Sequence, residues 1–169
     1  MTIFASIMTT RYISDLHFGH QGMANMRGFL DVEQMNSLII EQWNRIVTNK
    51  KDIVFILGDI TMEKKAGYEL LDKLNGVKHV ILGNHDRRQD VKELLKYVDT
   101  VCGMMGDKKN GVIFTHCPIH PSELDYRFKY NVHGHVHENT LSDPRYINVS
   151  AEVINYQPKT LEELLKNKI

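Results

Sequence analysis

One feature constrains this chain more than any other: five short apolar runs each stop at residues able to bind a metal ion. Arg11-Tyr12-Ile13-Ser14 leads to Asp15 and His17, and Ile53-Val54-Phe55-Ile56-Leu57 leads to Gly58-Asp59. His79-Val80-Ile81-Leu82 leads to Asn84 and His85, Val112 to Thr115 leads to His116, and Tyr130-Asn131-Val132-His133 leads to His135 and His137. An unbroken β-rich run such as 53–57 reads as a strand buried on both faces. In α/β sheets, ligand sites collect just past the carboxyl ends of strands, where loops converge. A lone Asp-x-His or Gly-Asp is a weak signal and is usually a turn. Recurrence at five strand ends predicts one shared site.

Between these runs the apolar spacing becomes helical. Asp15 to Leu30 reads as a glycine-containing loop. Asp31 caps a helix with Gln34 at the capping-box position, and Val32, Met35, Leu38, Ile39, Trp43 and Ile46 follow at helical spacing. Glu63 to Asn75 is helical with Gly76 at its C′ position, and Asp90 to Tyr97 forms a short helix. From Val98 the pattern turns to strands. Val98 to Met104 and Val112 to Thr115 are joined through Asn110-Gly111, a type I′ hairpin signal, and Tyr146 to Val149 is a further strand. Asp125 to Tyr130 mixes bases with aromatics; it reads as an amphipathic edge strand, with base stacking as the alternative. Thr160 and Glu163 make a capping box for a last helix. The simplest architecture is α/β, two packed sheets with helices outside.

At 169 residues, one domain spanning 1–169 is expected. Lys+Arg and Asp+Glu balance at 21 each, so no global field draws the chain to nucleic acid or an anionic membrane. No stretch approaches the roughly 20 apolar residues that span a bilayer. Cys102 and Cys117 form no redox or metal-finger pair and read as free thiols, Cys117 as a core one, in the reducing cytoplasm. Met1 to Met8 lacks the basic segment of a signal peptide. Either methionine serves as the start, the second leaving 1–7 as a disordered or non-native extension.

Two blocks are more specific. Gly83-Asn84-His85-Asp86 is rare by composition, and Gly134-His135-Val136-His137, if extended, projects both imidazoles to one side. The ordered set Asp-x-His, Gly-Asp, Gly-Asn-His-Asp, His and Gly-His-x-His resembles the calcineurin-like metallophosphoesterase superfamily. Ser14 to His20 and the tail Asn148-Val149-Ser150-Ala151-Glu152 resemble its small, cap-less bacterial and phage members. The resemblance implies a four-layer α/β/β/α sandwich of two mixed sheets with flanking helices and a di-metal centre at the sheet edge. It assigns Asp15, His17 and His137 to the first metal and Asn84, His116 and His135 to the second, with Asp59 bridging. His85 becomes the catalytic histidine, oriented by Asp86. Protein serine/threonine phosphatases carry arginine before their Gly-Asn-His-Glu, where Leu82 precedes Gly83, and Asp-Arg-Gly where Asp59 is followed by Ile-Thr-Met. That departure argues against a phosphoprotein substrate.

The implied reaction is hydrolysis of a phosphodiester or phosphomonoester of a small, nucleotide-like substrate, by attack of a hydroxide bridging two divalent ions. Imidazole, carboxylate and amide ligands suit Mn²⁺ first, then Fe²⁺, Ni²⁺, Co²⁺ or Zn²⁺. An imidazole such as His85 suits proton delivery to the leaving group, with phosphate positioning as its other role. His20 and Arg87 are candidate substrate contacts, Arg27 and Arg88 weaker ones; His120 and His133 read as structural, and His79 as a strand-surface residue. A nuclease acting on a nucleic-acid strand is the alternative, disfavoured by the neutral charge. A non-catalytic interaction module on the same fold is the third reading, disfavoured because the full ligand set is present.

Overall fold

A computed structural model describes residues 8–63 and 65–166. The expectation for residues 1–7 lies outside the described residues. Strand β1 (Thr10–Ile13) pairs in parallel with β2 (Ile53–Ile56), which pairs in parallel with β3 (Val77–Ile81), itself parallel to β4 (Thr100–Cys102). The second sheet runs β5 (Met105–Asp107), β6 (Val112–Phe114), β7 (Tyr130–His133) and β8 (Tyr146–Asn148), parallel except at β5. A two-residue strand, β9 (Lys159–Thr160), closes the free edge of β1 antiparallel. Both sheets are therefore mixed.

Parallel neighbours need crossovers, and helices supply them everywhere but between β7 and β8, where residues 134–145 cross without one. Helix α1 (Gln21–Met26) and helix α2 (Val32–Ile46) carry the chain from β1 to β2. Helix α3 (Lys65–Glu69), continued by a 3₁₀ turn at Leu70–Lys73, leads to β3, and α4 (Val91–Leu94) leads to β4. Helix α5 (Ser122–Tyr126) precedes β7, and α6 (Leu161–Leu165) ends the described chain behind the Thr160–Glu163 capping box. Among the described residues no helix is long and apolar enough to cross a membrane.

Helix α2 lays Met35, Ile39 and Trp43, one side chain per turn, onto the first sheet, where all three are fully buried with Ile13, Val54 and Ile56. The indole Nε1 of Trp43 donates to the Asn75 carbonyl at 2.9 Å, so the one polar atom of that ring is satisfied. On the other face, Tyr12, Phe55 and His79 are cross-strand neighbours with ring separations of 5.7 and 5.0 Å. Tyr12 also stacks on Phe114 of β6 at 4.4 Å, which joins the two sheets.

Local expectations fail in instructive places. Residues 15–30 are not all loop, because α1 lies within them; its six residues are too few to show a period, yet they bury Met23 and Ala24. Strand β2 alternates, with Ile53 and Phe55 only half-buried. The run from Val98 divides: β4 completes the first sheet and β5 begins the second, with Gly103 between them. No type I′ turn forms at Asn110-Gly111, since only Gly111 has positive φ (67°). Four residues instead span the Asp107–Val112 pair, and the Asp107 carboxylate accepts from the Asn110 amide. Asp125 to Tyr130 is not one edge strand: it contains the end of α5 and the start of β7. Asp31 caps α2 by accepting from Gln34 N, but the Gln34 side chain accepts from Leu30 N.

Because Trp43 fills the space between helix and sheet, Trp43→Ala should lower unfolding free energy by about 3–5 kcal/mol. Urea denaturation followed by circular dichroism measures it.

Candidate metal centre

The loops leaving β1 and β2 lie side by side. Asp15 N donates to Gly58 O, His17 N to Asp59 O and Phe18 N to Ile60 O at 2.8–3.0 Å. This short ladder carries Asp15, His17 and Asp59 to one place with the backbone in an unusual conformation. Asp15, His17, Asp59, His135 and His137 all have positive φ (58°, 49°, 53°, 71° and 53°), and only Asn155 and Tyr156 share that state among described non-glycine residues. Such conformations cost of order 1–3 kcal/mol each and persist where the surroundings impose them. The segment 134–137 is therefore not extended, and the expected same-side projection of its two imidazoles does not operate. The left-handed turns send His137 to Asp15 and His17, and His135 to His116.

The donor atoms of Asp15, His17 and His137 lie within 4.8 Å of one another, as do those of Asp15, Asp59 and His116. His116 Nε2 is 2.9 Å from Asn84 Oδ1, and its ring is 5.1 Å from that of His135. Asp59 Oδ2 sits centrally, 3.3 Å from His116 Nε2, 3.7 Å from His17 Nε2 and 3.8 Å from His85 Nε2. The structure thus brings together all seven residues named as metal ligands, with Asp59 between the two groups. His17 Nδ1 and Nε2 and Asp15 Oδ1 are buried without a hydrogen-bond partner among the described residues. Buried polar atoms are almost always paired, and a divalent cation is the partner that this donor set fits.

Remote contacts aim the imidazoles. His116 Nδ1 lies 2.7 Å from the Leu57 carbonyl, and His137 Nδ1 lies 2.6 Å from Glu152 Oε1. Glu152 is in turn held by Arg27, whose Nη2 reaches Glu152 Oε2 at 2.5 Å and the Asp15 carbonyl at 2.6 Å. The Arg27 side chain is 3% exposed, so its guanidinium braces the loop and is not offered to phosphate. Sequence reasoning gave no role to this Arg27–Glu152–His137 chain. The resemblance of the tail ending in Glu152 was the one available signal.

The motif glycines are explained by contact. A Cβ at Gly83 would overlap the Asp59 carboxylate, and one at Gly134 would overlap Ser14 Oγ and the Asp15 carboxylate. Only glycine lets these backbones pass so close to the acids.

Asp86 corrects the expectation that it orients His85. Its carboxylate accepts from Asp59 N (2.8 Å), Ile60 N (3.1 Å) and Gly83 N (2.8 Å), tying the loop after β3 to the loop after β2. Burial keeps the Asp86 carboxyl above its ordinary pKa despite these donors. His85 is placed through its backbone N–H, which donates to Asp59 Oδ1 at 2.9 Å, and its side chain is 38% exposed at the mouth of the centre. It lines a hollow of about 270 Å³ with Asn84, Thr61, Tyr68, Arg87 and Asp90. Arg87 there donates through Nε and Nη2 to Asp90 Oδ2. His20 precedes α1 with its ring 5.7 Å from that of His17. His133 is buried against Gly134 O, His120 bonds Ser122, and His79 bonds Thr100. Cys117 is not a core thiol: it is exposed on the rim, because it directly follows His116 out of the strand end, and its sulfur lies within 4.8 Å of the His116 and His135 nitrogens.

Burial would raise Asp15, but His17, His116 and the His135 and Ser14 donors hold it well below the usual carboxylate range. Asp59 likewise falls below its ordinary value against burial, through His116 and the His85 amide. His116 moves the other way: burial opposes, yet Asp59 carries it above the usual imidazole value. The hydrogen bond to Glu152 raises His137 against the opposing effect of burial.

Two outcomes follow from these contacts. Glu152→Gln should weaken binding of one of the two metal equivalents by about 10–100-fold, read by isothermal titration calorimetry with Mn²⁺. A metal must displace the protons of His116 and His137, and raised pKa values keep those protons on to higher pH. Affinity should therefore climb with pH through the ordinary histidine range and continue climbing above it. Titrations at about pH 6 and pH 8 in matched buffers check this; equal affinities would contradict it.

The chain matches the family model described as calcineurin-like phosphoesterase over residues 8–167. It is 36% identical over 169 residues to an uncharacterized protein of Methanocaldococcus jannaschii, covering 91% of this chain and 88% of that relative. It is also 30% identical over 174 residues to the gene 66 protein of Mycobacterium phage D29, covering 83% and 86%. Among solved structures, a protein of unknown function from Aquifex aeolicus superposes with a TM-score of 0.75 at 22% identity, over 96% of this chain and all of that one. An archaeal phosphodiesterase superposes with a TM-score of 0.50 at 19% identity, over 85% and 82%. At these identities the solved structures speak for the fold alone. The match over nearly the whole chain is decisive: this protein belongs to the calcineurin-like phosphoesterase family, a family of binuclear metal enzymes.

Proposed function

We propose that this protein hydrolyses a small, nucleotide-like phosphate ester with two divalent cations, Mn²⁺ being the activating ion. One observation carries the reading: the unpaired, buried donors of His17 and Asp15 face the same space as the Asp59 carboxylate, with His85 at its open edge. Two such ions would neutralise the phosphate oxygens, activate a water and clamp attacking and leaving groups in line. Asp15 and Asp59 contribute the two formal charges of the ligand set, so they balance about half of +4 and leave a net attraction for phosphate.

The remaining work falls to the chain's own residues. Hydrolysis joins a water oxygen to phosphorus and breaks the bond to the leaving group, whose oxygen needs a proton. His85 stands at the solvent edge of the centre and donates it. Asp59 accepts from the His85 backbone N–H and so holds that residue at the edge of the centre, within reach of a leaving oxygen. The hollow beside His85 receives the leaving group, and Arg87, anchored by Asp90, presents its remaining donors there. Presence of the whole ligand set argues against an interaction module. Two free, exposed cysteines fit a cytoplasmic enzyme.

Metal-stripped protein should hydrolyse bis-p-nitrophenyl phosphate or p-nitrophenyl phosphate only after Mn²⁺ is restored. Asp59→Asn should abolish turnover with loss of metal. His85→Ala should keep both metals yet lower kcat by about 10²–10⁴-fold on an alkyl phosphate ester, whose alkoxide needs the proton, and by far less on the p-nitrophenyl esters, whose phenolate leaves without one. Protein that holds two ions and turns over neither ester would sink the proposal.

A further inference from the structure

Two hollows open beside the centre, and they share no lining residue. The larger contains His85 and Arg87; the smaller, about 160 Å³, contains His137 with Met23, Met26 and Asn139. His17 stands between them, its ring 5.6 Å from that of His85 and 5.3 Å from that of His137. A phosphomonoester has one substituent and needs one hollow. A diester has two. The leaving one departs beside the proton donor, so the other needs room elsewhere around phosphorus.

The chemistry of the smaller hollow limits what can enter it. Met26, near the end of α1, is 77% exposed and stands on the wall of the hollow, away from the core. A flexible thioether beside a reactive centre suits an adaptable apolar contact. Arg27 also lines this hollow, but Glu152 and the carbonyls of Asp15 and Leu16 take up its guanidinium. Glu138 adds a further carboxylate to the rim. With its cation already engaged and two acids in the wall, the hollow disfavours a second phosphate.

We infer that the hollow formed by Met23, Met26 and Asn139 beside His137 binds the non-leaving substituent of a phosphodiester. That substituent is apolar or aromatic and carries no phosphate of its own. The inference rests on the phosphoesterase reading and narrows it to diesters. It also disfavours a polynucleotide strand, which continues as phosphate on both sides of the scissile bond.

The test uses three esters with one leaving group, p-nitrophenolate: bis-p-nitrophenyl phosphate, methyl p-nitrophenyl phosphate and p-nitrophenyl phosphate. Holding the leaving group constant isolates the second substituent. In the Mn²⁺-loaded enzyme, KM for the bis-aryl diester should be lower than for the methyl diester by about tenfold, the scale of one well-placed apolar contact. Met26→Glu changes an exposed side chain and puts a charge in the hollow. It should erase most of that preference through KM, with little change in kcat, while Met26→Leu should retain it. Met104→Glu, 65% exposed and in neither hollow, controls for added surface charge. The inference is overturned if Met26→Glu leaves the preference at its wild-type value, or shifts both diesters equally. It is equally overturned if the wild type prefers the monoester. Failure of the underlying reading looks different: none of the three esters is turned over by protein holding both ions.

Discussion

Two carboxylates, Asp15 and Asp59, lie almost wholly buried at the carboxyl edge of the first sheet, and the rest of the site is arranged around them. An acid in that position is costly unless donors or cations compensate it. Asp15 Oδ2 accepts from His135 N at 2.9 Å and from Ser150 Oγ at 3.0 Å, and Asp59 Oδ1 accepts from His85 N. Those donors come from loops that must approach within van der Waals reach, which is why glycine precedes both histidine blocks. The same crowding forces the left-handed backbone at the acids and at three of the imidazoles. What remains uncompensated, Asp15 Oδ1 and both nitrogens of His17, is the part of the charge pattern that a divalent cation completes.

Adjacent residues take separate tasks here. His85 and Asp86 are neighbours in sequence, yet one ring opens to solvent while the next carboxylate turns inward to three backbone amides. Asp86 fixes where the loops after β2 and β3 meet, and so fixes Asn84 and His85 without touching the reacting atoms. Positioning falls to the buried Asp86 carboxylate, and the exposed His85 ring is left for the chemistry proposed above.

The positions of the strands that carry the site and the donor residues beyond them were legible because each rests on short-range pattern. The apolar runs of β1, β2, β3 and β7 end at turn residues, and the donors stand immediately after them. Contacts between distant segments left no such trace. Arg27 and Glu152 are 125 positions apart, and neither has a spacing that announces the other. Helix α1 is shorter than two turns, so no period could mark it. The left-handed state of His135 and His137 is imposed by neighbours, and an isolated Gly-His-x-His reads more simply as extended. The crossing at Gly103 escaped because a run of apolar residues says nothing about which sheet receives it.

That crossing has a further consequence. Strands β1 to β4, before Gly103, build all of the first sheet but its β9 edge, and the loops that follow them supply Asp15, His17, Asp59, Asn84 and His85. The segments from β5 to β8 build the second and supply His116, His135 and His137. Neither group of donors is complete within one sheet: His137 must come over to Asp15 and His17, and Asn84 must meet His116 and His135. Ions held by these donors would therefore sit on the suture between the two sheets and hold it closed. A cation captured there would reward correct docking of the two sheets, so that completion of the metal site and the last stage of assembly would become one event.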